Sequence, residues 1–242
     1  MSELKKTFIQ PAQQPLSNLK QVRSIIAVSS CKGGVGKSTI AVALAEQYHA
    51  LGYKVGIVDA DIHGPSIPTM FGISQKPEII DSKFIPLKSR GIELMSVGFL
   101  VNSDAAIAWR GPMTSKILYQ MLSTTLWDNL DYLIIDMPPG TGDIHLSILE
   151  NYHVDGVVIV TTPQRISMND VRRVIELYKK FSIPILGIVE NMSDIFDGNA
   201  GKDLAAEYAI KLCIHALYTK TIAQKADKSE SFADLIPLKE LL

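Results

Sequence analysis

The sequence predicts an α/β fold: a doubly wound, mostly parallel sheet with helices on both faces. Short apolar runs rich in β-branched residues alternate with longer helical patterns, and each run is too short to be a buried helix. The chain has 242 residues, 47% of them hydrophobic, and α/β folds of up to about 250 residues commonly form one domain. We therefore predict a single domain over residues 23–242, preceded by a flexible arm over residues 1–22.

The strand and helix predictions follow the apolar runs in chain order. The predicted strands are residues 25–28, 55–58, 132–135, 156–160 and 185–189. Helical patterns over residues 38–51 and 169–181 fill two of the connections, and the second pattern has one apolar face with Arg and Lys elsewhere. Residues 77–98 are less regular and predict a hairpin followed by another strand.

Charge and cysteine content exclude several classes of protein. The 24 Lys and Arg against 25 Asp and Glu leave a net charge of −1, which removes the usual basis for nucleic-acid binding. Two cysteines, Cys31 and Cys213, are typical of a reducing compartment. No targeting segment is visible, and no run approaches the roughly 20 apolar residues that span a bilayer. We predict a cytoplasmic protein with no nucleic-acid partner and no transmembrane segment.

A glycine-rich loop stands between the first predicted strand and the first predicted helix. It reads Cys31, Lys32, Gly33, Gly34, Val35, Gly36, Lys37, Ser38, Thr39. Glycines let consecutive backbone N–H groups turn toward phosphate oxygens, and the helix directs its positive dipole end at the same charge. We expect Lys37 on the β- and γ-phosphates of ATP and Ser38 on Mg²⁺. The phosphate-loop pattern begins with Gly, and Cys31 takes that place; its neighbouring lysine and helix N-terminus are expected to favour its thiolate.

Three aspartates follow predicted strands. Asp59 and Asp61 come at the end of the second run, and Asp136 follows four apolar residues in the Walker B form. Carboxyl ends of the strands in a doubly wound sheet face the ligand crevice, so these side chains are expected near the phosphate loop. Asp136 and Asp59 are the candidate Mg²⁺ ligands, and Asp61 is the candidate that orients the attacking water. Capping of the next helix is the alternative for each.

The loop after Asp136 contains two prolines followed by Gly140 and Gly142. The prolines stiffen it, while the glycines leave backbone amides free to approach a γ-phosphate. We expect this loop, through Gly140, to contact nucleotide and to report its state. The alternative is an ordinary Pro-Gly turn.

Lys32 has no role in the simple phosphate-loop pattern. With this second lysine, the loop resembles the deviant Walker A loop of dimeric P-loop ATPases of the MinD and ParA group. That resemblance implies that Lys32 reaches across a homodimer to the partner's nucleotide and takes part in catalysis. A solvent-facing loop lysine is the alternative.

Four further blocks resemble one branch of this group, the Mrp/ApbC family of iron–sulfur cluster carriers. They are residues 59–68, 109–113, 136–143 and 190–193, and the resemblance extends over roughly residues 22–215. It implies a Mg²⁺-dependent ATPase that forms a homodimer and carries a transient iron–sulfur cluster to apoprotein recipients. By the same resemblance Asn191 contacts the adenine base, and a turn residue is the alternative.

The chain departs from that family after residue 193. Relatives usually have a Cys-x-x-Cys pair there, and residues 194–201 of this chain contain no cysteine, so an iron ligand is missing. The cluster is thus implied by resemblance alone, whereas ATP binding also follows from the loop itself. The alternative function is an ATP-dependent regulatory switch of the MinD or ParA type, acting on a protein or membrane partner without a cluster. A third is a paralogue that binds ATP and turns it over little. The membrane version usually needs a basic amphipathic C-terminal helix, and Lys239 is the one cation of residues 229–242.

Overall fold

The computed structural model describes residues 19–62, 64–100 and 111–241, with the side chains of residues 111–114 left out. Most of the predicted arm, His63 and the first two residues of the block at 109–113 lie outside the described residues. Leu19 is buried and the first strand begins at Val22, so residues 19–22 of the predicted arm contribute to the fold. The division between arm and domain otherwise stays a prediction.

The strands and helices alternate as the sequence predicts. The strands are β1 (Val22–Ser29), β2 (Val55–Asp59), β3 (Ile79–Ile80), β4 (Lys83–Phe84), β5 (Leu87–Ser89), β6 (Ile92–Ser96), β7 (Leu130–Asp136), β8 (Gly156–Thr161), β9 (Ile185–Asn191) and β10 (Cys213–Ala216). The helices are α1 (Lys37–Ala50), α2 (Ile67–Met70), α3 (Val97–Leu100), α4 (Gly111–Thr124), α5 (Asp143–Asn151), α6 (Met168–Lys180), α7 (Ala200–Glu207) and α8 (Lys220–Asp227). Short 3₁₀ turns cover Leu19–Gln21, Arg165–Ser167, Ala233–Leu235 and Lys239–Leu241.

Eight strands form one sheet in the order β10-β9-β8-β1-β7-β2-β6-β5. All neighbours pair in parallel except β5, which runs antiparallel to β6 at one edge. The predicted doubly wound, mostly parallel sheet is therefore confirmed. The irregular region at residues 77–98 contains two hairpins, β3–β4 and β5–β6, so the predicted hairpin and following strand are both present.

Each face of the sheet has its own apolar core. Helix α1 lies in one of them, and its residues from Ile40 to Ala45 are all buried, because the sheet covers one side and the C-terminal segment the other. The Gln47 side-chain amide donates to the carbonyls of Ala233 and Ile236, at 2.6 and 2.8 Å. The carboxyl ends of the parallel strands, where the predicted site residues lie, meet at one edge.

No helix of the described ranges is long and apolar enough to cross a membrane. The apolar residues near the C-terminus also have a partner within the fold. Phe232, Ile236 and Leu238 are buried against α1, and the segment forms 3₁₀ turns rather than an amphipathic helix. This packing makes these three side chains unavailable for the apolar face that a membrane-binding helix presents.

Candidate active site

The loop between β1 and α1 has the conformation that a phosphate cradle requires. Gly34 and Gly36 have φ angles of 78° and 85°, in the left-handed region that L-residues with a side chain rarely adopt. Helix α1 begins directly afterwards at Lys37. A Cβ on Gly36 would also lie 2.2 Å from Nδ2 of Asn191. Position 36 therefore requires glycine for two reasons: its φ angle is positive, and the Asn191 side chain leaves no room for a Cβ atom.

We expect Gly36→Ala to weaken ATP binding by at least about 10-fold, because the strained backbone costs about 1–2 kcal/mol and the new methyl group displaces Asn191. The thermal midpoint should fall as well. The matched control is Gly33→Ala in the same loop, where the φ angle is ordinary and no atom lies within 4 Å of the added Cβ. Nucleotide titrations of both variants check this, and equal affinities would contradict it.

A cavity of about 480 Å³ opens between the glycine loop and the loops after β2, β7 and β9. Its walls include Ser30, Lys32, Gly33, Gly34, Gly36, Lys37, Ser38, Thr39, Asp61, Gly64, Ser66, Met70, Pro139 and Met192. Most of the predicted site residues thus meet at one place. The Val35 side chain is instead buried in the core beside α1.

Lys37 lies at the centre of the site, and its side chain is 6% exposed. Its Nζ is 2.5 Å from Oδ1 of Asp136 and 3.8 Å from Oδ2 of Asp61. Burial raises the pKa of Asp136, and the charge of Lys37 opposes that rise. The arrangement places one ammonium group between two carboxylates at the N-terminus of α1, next to the cavity.

The residues present fit a magnesium ion. Oδ2 of Asp136 and Oδ1 of Asp61 are buried and have no hydrogen-bond partner in the described part of the chain. The hydroxyl of Ser38 lies beside the Asp136 carboxyl group. Carboxylate and hydroxyl oxygens are the donors that this hard cation prefers. Asp136 and Ser38 are therefore the residues suited to hold Mg²⁺ next to bound phosphates.

Asp59 has a different environment from the one expected of a metal ligand. Its carboxylate accepts hydrogen bonds from the backbone N–H groups of Asp61 and Ile67 and from the Ser96 hydroxyl, at 3.1, 3.3 and 3.2 Å. Burial, followed by the charge of Asp136, raises the pKa of Asp59 to about 7. Through these contacts Asp59 fixes the loop that carries Asp61. The role of Asp59 as a Mg²⁺ ligand stays a prediction.

Asn191 and Gly140 both bind the glycine loop in this structure. Asn191 Nδ2 donates to the Val35 carbonyl at 2.9 Å, and the Gly140 N–H donates to the Ser30 carbonyl at 2.9 Å. The Gly140 N–H group, which is predicted to approach a γ-phosphate, therefore already has a hydrogen-bond acceptor. Its contact with phosphate requires the hydrogen bond to Ser30 to break. The adenine contact of Asn191 likewise stays a prediction, and its observed role is to support the loop.

Lys32 points away from the phosphate position toward helix α6. Its Nζ is 3.2 Å from Oδ2 of Asp170 and 3.5 Å from the Ile166 carbonyl oxygen, and Arg173 approaches the same carboxylate. The expectation that the Cys31 thiolate is favoured is wrong, because burial and then the charge of Asp170 raise the pKa of Cys31. The charges of Arg173 and Lys32 lower this pKa, but burial and Asp170 outweigh them.

His145 in α5 has no metal-ligand spacing to another histidine, which predicts a surface or hydrogen-bonded side chain, and it is 1% exposed. Its Nε2 lies 3.4 Å from the Ser29 hydroxyl at the end of β1, and the Tyr178 hydroxyl of α6 faces the same Ser29. The burial of His145 could have been predicted from helical spacing. Ile148 and Leu149, three and four positions later in the chain, are apolar and lie on the same helix face, and both are buried. These three polar groups connect β1, α5 and α6 beneath the site.

Burial, and then the charge of Lys37, lower the pKa of His145 to about 4. Between its ordinary pKa near 6.5 and about 4, the unfolded chain takes up a proton that the folded chain does not. We therefore expect folding stability to fall as the pH drops through this window, by at most about 3 kcal/mol from this group. Urea unfolding of wild type and His145→Asn should show a shallower pH dependence in the variant. The exposed His153 gives the control, His153→Asn, and identical slopes in wild type and His145→Asn would contradict the prediction.

A family model described as ParA, NUBPL iron-transfer P-loop NTPase, matches residues 21–237. The chain belongs to this family. An iron-sulfur cluster carrier protein of Rickettsia bellii is 55% identical over 233 residues, covering 96% of this chain and 73% of the relative. A protein of the same name from Haemophilus influenzae is 44% identical and covers 100% of this chain and 67% of the relative.

Solved structures agree with this assignment. A nucleotide-binding protein of Archaeoglobus fulgidus, in complex with ADP, is 34% identical with a TM-score of 0.77, and 88% of each chain is covered. The septum site-determining protein MinD of Pyrococcus horikoshii, complexed with Mg-ADP, has a TM-score of 0.67 over 86% of each chain at 19% identity, which shows a common fold alone. The family match and the named relatives favour the cluster-carrier function over the regulatory switch.

Proposed function

We propose that the chain is a Mg²⁺-dependent ATPase that closes as a homodimer around nucleotide and delivers iron–sulfur clusters to apoprotein recipients. The observation that carries the ATPase proposal is the position of Lys37, held between Asp136 and Asp61 where the glycine loop meets α1. Phosphoryl transfer to water needs charge neutralisation and an aligned nucleophile, and this arrangement offers groups for both. The named relatives support the delivery role.

Each residue of the site has a role in this proposal. Backbone amides of residues 33–38 bind the phosphate oxygens, and the Lys37 ammonium group leaves its carboxylate partners for the β- and γ-phosphates. Mg²⁺, when bound, neutralises phosphate charge beside Ser38 and Asp136. Asp61 orients the water that attacks the γ-phosphate, because its free carboxylate oxygen can accept a hydrogen bond from that water. Lys32 of the partner subunit stabilises negative charge on the γ-phosphoryl group as it is transferred to water.

The cluster is the cargo in this proposal, and the turn after β9 does not fit it. Residues 194–201 contain no cysteine, and thiolates are the usual ligands of such clusters. Both cysteines of the chain have raised pKa values through burial. That turn therefore offers no thiolate to a cluster.

The alternative, a regulatory switch, has less support. Its membrane version needs a free amphipathic segment, and Phe232, Ile236 and Leu238 near the C-terminus are buried against α1. We expect no co-sedimentation of the full chain with vesicles of anionic phospholipid, with or without Mg-ATP. ATP-dependent binding to these vesicles would favour the switch.

The proposed function is tested in two stages with the purified full chain. Phosphate release and light scattering measure Mg²⁺-dependent hydrolysis and ATP-dependent dimerisation. Anaerobic incubation with iron and sulfide, followed by addition of an apo-ferredoxin, measures cluster delivery through the recipient's recovered absorbance. The proposal predicts hydrolysis, dimerisation and delivery. Hydrolysis with no delivery would overturn the carrier function and leave the switch, and no hydrolysis would overturn the ATPase.

A further inference from the structure

A thiol, an imidazole and a carboxylate lie on one side of the sheet at the edge formed by β10. This strand pairs in parallel with β9, with Cys213 beside Ile188 and His215 beside Glu190. Alternate residues of a strand share a face, so Cys213 and His215 lie on the same side of the sheet, and Glu190 lies there too. Ile214 and Ala216 point to the opposite side, where they are buried. None of these groups belongs to the nucleotide cavity.

Glu190 is 1% exposed and holds the imidazole in a defined orientation. Its Oε1 lies 3.1 Å from Nδ1 of His215, and its Oε2 accepts a hydrogen bond of 2.5 Å from the backbone N–H of Gly201 in α7. A carboxylate at Nδ1 fixes the proton on that nitrogen and leaves the lone pair of Nε2 free. Because the His215 side chain is 47% exposed, that lone pair is accessible from solvent.

We propose that Cys213 and His215 form a two-donor site for a thiophilic divalent metal ion such as Fe²⁺, Co²⁺ or Zn²⁺, with Glu190 as a positioning residue. A thiolate and an imidazole suit these borderline ions, and a carboxylate behind a ligating histidine is a common feature of such sites. The proposal does not depend on ATP hydrolysis or cluster delivery. It nevertheless supplies an iron contact that residues 194–201 do not.

The site is expected to bind metal weakly and reversibly. No three His, Cys, Asp or Glu donors of the described residues converge on one point, so water or a donor from an incoming protein completes the coordination. Burial and then Glu190 raise the pKa of Cys213 to about 11, and Lys202 acts in the opposite direction. As the metal–sulfur bond forms, the thiol proton is released to solvent and no electron is transferred. An open site of this kind is suited to handing metal over rather than storing it.

Anaerobic titration of the nucleotide-free full chain with Co²⁺ tests the proposal, because a cobalt–thiolate bond has a charge-transfer absorption in the near ultraviolet. We expect saturation at one Co²⁺ per chain and loss of this absorption in Cys213→Ser. His215→Ala and Glu190→Gln should retain it with dissociation constants raised about 10–100-fold. Cys31→Ser and His153→Ala are the controls and should match wild type. His153 lies 3.1 Å from Asp155, the same separation as His215 from Glu190, but Cys213 is not beside it.

A second measurement keeps the proposal falsifiable if Cys213→Ser does not fold. In wild type, bound Co²⁺ should slow the alkylation of Cys213 by iodoacetamide and leave the alkylation of Cys31 unchanged. Mass spectrometry of the peptides that contain the two cysteines measures both rates. Absence of the charge-transfer band at millimolar Co²⁺, an unchanged band in folded Cys213→Ser, or protection of Cys31 instead of Cys213 would each overturn the proposal. Phosphate release measured without Co²⁺ reports separately on the proposed ATPase.

Discussion

Replacing Lys37 by Ala is expected to weaken ATP binding by at least about 100-fold, because hydrogen bonds to charged groups contribute about 1.5–3 kcal/mol each and the proposed role of Lys37 gives it more than one, to the β- and γ-phosphates. No other lysine lies between the Asp136 and Asp61 carboxylates in the described part of the chain. Equilibrium dialysis with labelled ATP measures the change. The control is Lys228→Ala, at an exposed lysine that is not part of the cavity wall.

The same substitution should also affect folding, since it removes the cation that faces Asp136 and lies near Asp59. Uncompensated burial of a charge costs about 3–5 kcal/mol, and protonation of these carboxyl groups reduces that cost. Lys37→Met retains the length of the side chain and separates the two effects. If a folded Lys37→Met chain binds ATP within about threefold of wild type, the assigned role of Lys37 is wrong.

Replacing Lys32 by Ala is expected to leave ATP binding to the monomer unchanged and to lower hydrolysis by at least about 100-fold. A cation supplied across an interface to the transferring phosphate contributes about 10³–10⁵ in rate in related chemistry. In this structure Lys32 lines the cavity, but its ammonium group is paired with Asp170 of its own chain. Phosphate release at saturating ATP, measured beside dialysis, separates the two quantities.

Asp170→Asn tests the same role from the other side of the ion pair, because it removes the carboxylate that holds Lys32. Without the carboxylate charge, Lys32 is free to move, and light scattering should show ATP-dependent dimers at a lower chain concentration than in wild type. Arg173→Ala is the matched control, because it removes the other cation on Asp170 and keeps the Lys32 contact. Hydrolysis by Lys32→Ala at the wild-type rate would exclude the cross-subunit role.

The order of strands and helices could be predicted because each local pattern agrees with the tertiary fold. Buried parallel strands are continuous apolar runs, and the glycine loop identifies the connection that binds phosphate. The predicted elements differ from the observed ones at their ends: β1 begins at Val22, where buried Leu19 and partly buried Val22 pack against the core, and helix α1 begins at Lys37.

Contacts between distant segments could not be predicted, because they depend on side-chain directions that a strand or loop pattern does not contain. Asp59 and Asp61 are two residues apart, yet the first anchors a loop and the second lines the cavity. The pairing of Lys32 with Asp170 joins residues 138 positions apart, with no signal in either local sequence. Glu190 and His215 meet only because β10 pairs with β9 in one register.

Isothermal titration calorimetry of the nucleotide-free full chain with ATP, in Mg²⁺ and again in EDTA, tests the central claim most directly. We predict one nucleotide site per chain, with tighter binding when Mg²⁺ is present, because Ser38 and the buried oxygens of Asp136 then gain their metal partner. A titration in Mg²⁺ that shows no heat of binding at millimolar ATP would contradict the assignment of this loop as a phosphate site.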